Sequence, residues 1–470
     1  MDERYLRRMG ADLRSLLNDL KRSDVAAASE LGIELEQLRD ALAGLRPLPP
    51  ETVARALATW PLNERDLYPI QDDCQEGIIL MTGADSEASR RVFQRGGADY
   101  YEYRDTAMSR LAMFRPEWIR MLCVVDDDDP HNPAVQWNNG HLLHQFTYFV
   151  GEINYYSEWR GTRSCAWVDT GDSVWGVPFA RHSFTTRDPA RRAFILALTY
   201  GSGLVGDAQK ELSALGPEVA ASYALPCTDG VETEAALLGQ HIENTALTLE
   251  VLADTARVEE GRLGEVLAGR SRLDPDERRR LAAALRIREA ELMAMGSDTQ
   301  GGIALLRAGE AISWNYPSRA AADYRIVRLA GSALHSWTRG LQIEVLARRE
   351  AGRAAAPLHT GLHQYLYCLG PGLGEITWRY GGRESEAVLS PGDSLYVKPF
   401  VPLRLSRLDD RPLTVLMLRI AGRVRLEAMA ELGSMAPEGL ARVVDEDRQW
   451  YDAGEALEPA GPASFGRAAS

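Results

Sequence analysis

A chain of 470 residues, 45% hydrophobic and 26% charged, can build two to four domains with cores of their own and is expected to be globular. No apolar run approaches the roughly 20 residues that span a bilayer, and a formal charge of −14 argues against nucleic acid as a bulk partner. Five scattered cysteines without a CxxC pair, behind an N-terminus that reads as a polar amphipathic helix and not an export signal, suggest reduced thiols and a cytoplasmic location.

Residues 1–70 read as a helical domain. From Leu13 to Leu42, Leu, Ala and Ile recur at three- and four-residue steps between charged residues. Val25 to Ile33 resembles a helix-turn-helix unit with Gly32 in the turn. Residues 71–230 are β-rich and hold two informative strings. Asn138-Asn139-Gly140-His141 leads into Leu142-Leu143-His144-Gln145, and Gly171-Asp172-Ser173-Val174-Trp175-Gly176-Val177-Pro178-Phe179 leads to Arg181-His182. The second string has the strand-turn-strand form of a cupin, with Gly-Asp in the turn and a histidine aimed inward. Residues 231–298 repeat the helical texture from Thr245 to Met295, and residues 299–432 are again β-rich. Residues 433–470 form a tail rich in Gly, Ala and Pro with little sign of packing.

The β-rich halves look duplicated. Gly171 to Phe179 recurs as Gly392 to Phe400, and His144-Gln145 through Gly151-Glu152-Ile153 recurs as His363-Gln364 through Gly374-Glu375-Ile376. The expected fold is α+β, a tandem repeat of a helix-turn-helix-like helical domain and a cupin β-barrel (a bicupin). In the second copy Leu403 stands where His182 would be, so that barrel is expected to be a metal-free scaffold; His359 and His363 are too few ligands for tight binding.

Two imidazoles on neighbouring strands, His141 and His182, can hold one face of a divalent metal. Non-haem Fe(II) oxygenases commonly add a carboxylate to such a pair. Six residues before His182 the chain has Gly176, and the amide Gln145 is the nearest candidate to fill the gap. On a flat strand residues i and i+4 lie about 13 Å apart, so a bulge or turn near His141 must shorten that distance. On spacing alone Gln145 is either a ligand or a residue that lines the barrel, and an irregular backbone could exchange its role with that of His144.

These features resemble the hydroxyethylphosphonate dioxygenase and methylphosphonate synthase family of non-haem iron enzymes over most of the chain. In the dioxygenase the third ligand is a Glu six residues before the second His; in the synthase a Gln four residues after the first His takes its place. Gly176 and Gln145 follow the synthase pattern. The resemblance implies Fe(II) held by His141, Gln145 and His182, with Arg95, Tyr103, Asn138 and Lys21 binding the phosphonate. It also implies O2-dependent cleavage of 2-hydroxyethylphosphonate to methylphosphonate and CO2, or to hydroxymethylphosphonate and formate if the chain acts as the dioxygenase does. A homo-oligomer without nucleic-acid or membrane partners is expected. The readings from other classes are a helix-turn-helix regulator with a cupin sensor, and a cupin isomerase using Mn, Co or Zn as a Lewis acid.

Overall fold

The protein is seen in a computed structural model that describes residues 2–191, 193–226, 230–294, 296–350, 353–445 and 448–450. It divides into two compact units, one of Met1–Gln75 with Arg423–Ser470 and the other of Glu76–Gly422.

In the first unit the helices Glu3–Asp19, Asp24–Leu31, Leu35–Leu42 and Pro50–Thr59 bury Leu13, Leu16, Leu17, Leu31, Leu38 and Val53 around Trp60. The turn at Gly32 is real: its φ of 67° is left-handed, which glycine adopts without the Cβ penalty. The tail from Arg423 forms the helices Leu426–Gly433 and Pro437–Val444, neither with a buried residue. It then returns to the first helix, where the Trp450 amide donates to Asn18 Oδ1 and the Arg448 amide to Ser15 Oγ. Composition did not suggest that return, because two backbone hydrogen bonds leave no mark on it.

The second unit holds mixed helix and antiparallel sheet. One seven-stranded sheet runs Ile303–Leu306, Ser173–Gly176, His144–Val150, Phe194–Tyr200, Phe114–Met121, Ala98–Asp105, Arg91–Arg95. The other runs Ile78–Met81, Ser394–Val397, His363–Pro371, Leu413–Ile420, Thr338–Val345, Ala322–Arg328, Ser313–Pro317. Each packs against a three-stranded sheet, centred on Ile153–Trp159 and on Gly374–Tyr380. The three-stranded sheets remain separate from the seven-stranded ones, and isolated bridges join them to flanking loop residues, Thr186 to Val124 and Leu403 to Leu358. Between the halves lie helices Gly230–Thr245, Leu249–Ala256, Glu260–Leu267 and Pro275–Leu285, packed on Leu238, Leu252, Leu263 and Leu281.

The two seven-stranded sheets share one strand order, and each takes an edge strand from the other half of the chain. Ile303–Leu306 pairs with Ser173–Gly176, and Ile78–Met81 pairs with Ser394–Val397. The repeated Gly-Asp-Ser turns fasten the exchange. Asp172 Oδ1 accepts from the Ala308 amide and Asp393 Oδ1 from the Gly83 amide, each at 2.8 Å. Ser173 Oγ accepts from the Ala330 amide and Ser394 Oγ from the Ala107 amide, each at 2.9 Å. Chain order did not suggest the exchange, because pairing between segments far apart in the chain is decided by register in space.

Candidate metal centre

His141 stands in irregular backbone just before the strand His144–Val150, on which Gln145 sits, while His182 lies on Arg181–Thr186. The backbone turns between His141 and the strand, so the wide separation of a flat strand never arises: His141 Nε2 lies 3.2 Å from Gln145 Oε1. Two positive φ values shape that turn. Gly140 has φ 72°, and a Cβ there would stand 2.7 Å from Phe179 O. Phe179 itself is left-handed at φ 62°, and its amide donates to His141 O at 2.8 Å, which ties the two motif strings together. His144 faces away from the cavity, stacked on Trp175 and Tyr200 beside His335. It therefore does not exchange roles with Gln145.

Both imidazoles are set as the tautomer a metal needs. His141 Nδ1 is 2.9 Å from Leu143 O and His182 Nδ1 is 3.0 Å from Ala180 O. A carbonyl only accepts, so each Nδ1 carries the proton and each Nε2 presents a lone pair. The ring centroids are 5.5 Å apart. Imidazole nitrogens bind divalent ions at about 2.0–2.1 Å, so rings sharing one ion have centroids within roughly 6.5 Å of each other. Gln145 Nε2 donates to Thr147 Oγ1 at 2.9 Å, which turns Oε1 toward His141 Nε2. Two lone-pair atoms then face each other, an arrangement that a cation between them makes favourable. The donor set fits a divalent metal. Among the described residues no group of three or more His, Cys, Asp or Glu could hold one, and the side-chain oxygen that stands beside His141 Nε2 is the amide Oε1 of Gln145. Burial pushes His182 down to about 4, with His141 and Arg95 adding to the effect against the Ala180 carbonyl, which keeps its ring neutral and able to ligate.

Asn138 clamps the second histidine. Its Oδ1 accepts from the His182 and Gly140 amides, and its Nδ2 stands 2.9 Å from His182 Nε2. These atoms open on a cavity of about 210 Å³ that also contains Arg95, Tyr101, Tyr103, Glu117, Ile119 and Thr199. Arg95 packs over the Tyr101 ring at 4.9 Å and donates to Gln136 O; it has no ion pair among the described residues. The guanidinium is therefore available to an anion. Burial raises the Tyr103 phenol, with Glu117 adding to the rise and Arg95 opposing it. Of the seven residues read from the sequence, six meet at this cavity. Lys21 lies in the other unit, at φ 57°, with Nζ donating to Asn18 O and Asp19 O and standing 3.5 Å from the centre of the Trp450 ring. Thr147 and Glu117 were not read from the sequence. Thr147 had a usable signal, since two residues on from Gln145 it shares that side chain's face of the strand; Glu117 had none.

Gly176 ends the strand Ser173–Gly176 directly opposite Gln145, and a Cβ there would meet nothing closer than 4.0 Å. Space for a larger side chain exists where the dioxygenase pattern has its acid.

The chain is 39% identical over 450 residues to methylphosphonate synthase of Nitrosopumilus maritimus (strain SCM1), covering 95% of this chain and 96% of that one. The chain belongs to the methylphosphonate synthase family. The structure of a Streptomyces albus hydroxyethylphosphonate dioxygenase (HEPD), solved with 2-hydroxyethylphosphonate and Fe(II) bound, superposes on this family member with a TM-score of 0.91. That pair shares 44% identity over 96% of this chain and 100% of the other. A second 2-hydroxyethylphosphonate dioxygenase structure, at 20% identity and TM-score 0.71, covers 92% of this chain and 99% of its own and shows the shared fold. No family model matches the chain.

In the second half, Leu403 is wholly buried in the core. His363 Nδ1 meets Tyr396 OH at 2.7 Å, and burial pushes its imidazole down to about 4. Between pH 6.5 and about 4 the folded state binds fewer protons at His363 than the unfolded state, so stability falls on acidification through that window. Relative to His363→Gln, the wild-type chain should lose about 2–3 kcal/mol from pH 7 to 4, read from paired denaturation curves. Parallel pH profiles for the two proteins would remove the histidine from the account. Cys74, Cys123, Cys165 and Cys368 are free thiols, and Cys227 lies outside the described residues. No helix among the described residues is long and apolar enough to cross a membrane.

Proposed function

We propose that this chain uses Fe(II) and O2 to cleave the carbon–carbon bond of 2-hydroxyethylphosphonate, giving methylphosphonate and CO2. The observation that carries the reading is the convergence of two imidazole Nε2 atoms and a fixed amide oxygen beside an arginine with no ion pair among the described residues, in a chain 39% identical to a methylphosphonate synthase. His141, Gln145 and His182 hold the iron. Arg95 grips the phosphonate with its planar fork, and Asn138 and Tyr103 donate to it. Bound Fe(II) supplies the one-electron chemistry that lets O2 react with a substrate carrying its own reducing electrons. Substrate and O2 together contain the atoms of methylphosphonate, CO2 and water, so no external reductant or 2-oxoglutarate is required.

The neutral Gln145 leaves the metal one unit more positive than a carboxylate would, which strengthens binding of the anionic substrate. Thr147 holds that amide in place. The paired sheets are read as a bicupin whose second copy, with Leu403 and Val397 in its core, serves as a metal-free scaffold.

A second reading is the dioxygenase outcome, hydroxymethylphosphonate and formate, favoured by the 44% identity to the Streptomyces albus structure. Phosphorus NMR of the purified protein with Fe(II), O2 and 2-hydroxyethylphosphonate separates the two. Methylphosphonate is expected as the main phosphorus product; hydroxymethylphosphonate in its place would move the chain to the dioxygenase side. O2 uptake coupled to substrate loss also distinguishes both from a Lewis-acid isomerase.

A further inference from the structure

Glu117 lines the cavity of the metal centre yet takes no part in the ligand set. It lies on the strand Phe114–Met121, where register sets Thr147, Ala197, Glu117 and Asp105 in one row across four strands. The next row holds Phe149, Ile195, Ile119 and Tyr103. Ala197 is the smallest member of its row, so space opens between Thr147, which fixes the Gln145 amide, and Glu117. At about 4.8 Å between strands those two backbones stand roughly 10 Å apart, room for a substrate of a few heavy atoms.

Arg91, on the edge strand Arg91–Arg95 two strands away, is held by Asp105 through two hydrogen bonds of 2.7 and 3.0 Å. Glu117 is left without an ion pair among the described residues, in a cavity where a cationic Arg95 and the phenol of Tyr103 also stand. Burial raises its carboxyl above the usual range, Arg91 opposing and Asp105 adding to the rise. A dianionic ligand close by would raise it further, since two like charges in one pocket disfavour each other. Of the other groups around it, Arg95 shares the cavity wall, Arg91 holds Asp105 below its ordinary value, and burial lifts Tyr103. The imidazoles of His141 and His182 occupy the metal side of the cavity.

We infer that Glu117 is a substrate-binding residue that enters the complex as the neutral acid and donates a hydrogen bond to a phosphonate oxygen beside Arg95 and Tyr103. The inference rests on 2-hydroxyethylphosphonate being the ligand of this cavity. The proton balance is simple: binding takes one proton from the buffer onto the Glu117 carboxylate, and no other bond changes. A carboxyl in this role lets the pocket donate to a fully ionised phosphonate oxygen, and weakens binding as the solution becomes alkaline.

The test is anaerobic calorimetry of 2-hydroxyethylphosphonate binding to the Fe(II) protein, in buffers of different ionisation enthalpy from roughly pH 6 to 8. Wild-type protein is expected to take up more protons on binding than Glu117→Gln, whose amide keeps a donor but has no proton to gain. Glu117→Gln should stay within about threefold of wild-type affinity at the acid end and lose the alkaline weakening. Glu117→Ala should bind about 10–100-fold more weakly, the usual cost of one hydrogen bond to a charged group. Equal proton uptake in wild type and Glu117→Gln, with Glu117→Ala binding as well as either, overturns the inference while leaving the substrate assignment intact. Wild-type protein that fails to bind 2-hydroxyethylphosphonate at all overturns both.

Discussion

Replacing His141 or His182 with alanine is expected to leave a protein that folds but holds no iron and turns over no substrate. Each imidazole presents its Nε2 because a backbone carbonyl, of Leu143 or Ala180, fixes the proton on the other nitrogen. Removing either ring leaves one imidazole and an amide, too few donors for tight binding at micromolar iron. Gln145→Ala is the graded member of the series. It removes a neutral ligand and should weaken iron binding by roughly 10–100-fold, a loss comparable to removing a supporting group around a metal ligand. Gly176 offers the complementary experiment, because it lies opposite Gln145 and a side chain there would find no atom closer than 4.0 Å to its Cβ. In the Gln145→Ala background, Gly176→Glu is expected to restore iron content, with phosphorus NMR reporting any change of product. Iron per chain measured after anaerobic loading and gel filtration decides the series. Full occupancy in Gln145→Ala, with unchanged turnover, would make the amide a bystander.

The second large effect is expected at Arg95. Its guanidinium lies against Tyr101 with no carboxylate partner among the described residues. Binding a phosphonate gives it two charge-assisted hydrogen bonds, each worth about 1.5–3 kcal/mol. Arg95→Ala should therefore lower kcat/KM by about 10²–10⁴-fold, most of it through KM, with iron content unchanged. Arg95→Lys restores the charge but not the planar fork and should recover only part of that loss. Steady-state O2 uptake against substrate concentration checks both variants. A KM that does not move would place the phosphonate elsewhere in the cavity.

The chemistry of the site was legible in the chain because it depends on residue type and local spacing. His141, Gln145 and His182 stand out by their positions in two motif strings, and the missing acid at Gly176 is readable one letter at a time. The contribution of Gln145 was not settled by spacing, since a flat strand and a turned one carry the same letters. The backbone of Gly140 and Phe179, both at positive φ, makes the turn that brings the amide to 3.2 Å from His141 Nε2. Glu117 was invisible for a different reason. Its strand sets the buried Trp118 and Ile119 side by side, a break in the alternation, so the pattern does not mark which side chains look into the cavity.

The duplicated Gly-Asp-Ser turns show the same division. Their recurrence, and with it the α+β plan of alternating helical and β-rich segments, follows from sequence alone. That Asp172 and Asp393 each bind the backbone beside a strand lent by the other half does not. Residue type fixes what a side chain can donate, accept or ligate, and local pattern fixes helix or strand. Which distant strands pair, and which inward residues then share one cavity, depends on long-range burial that no short window of the chain contains.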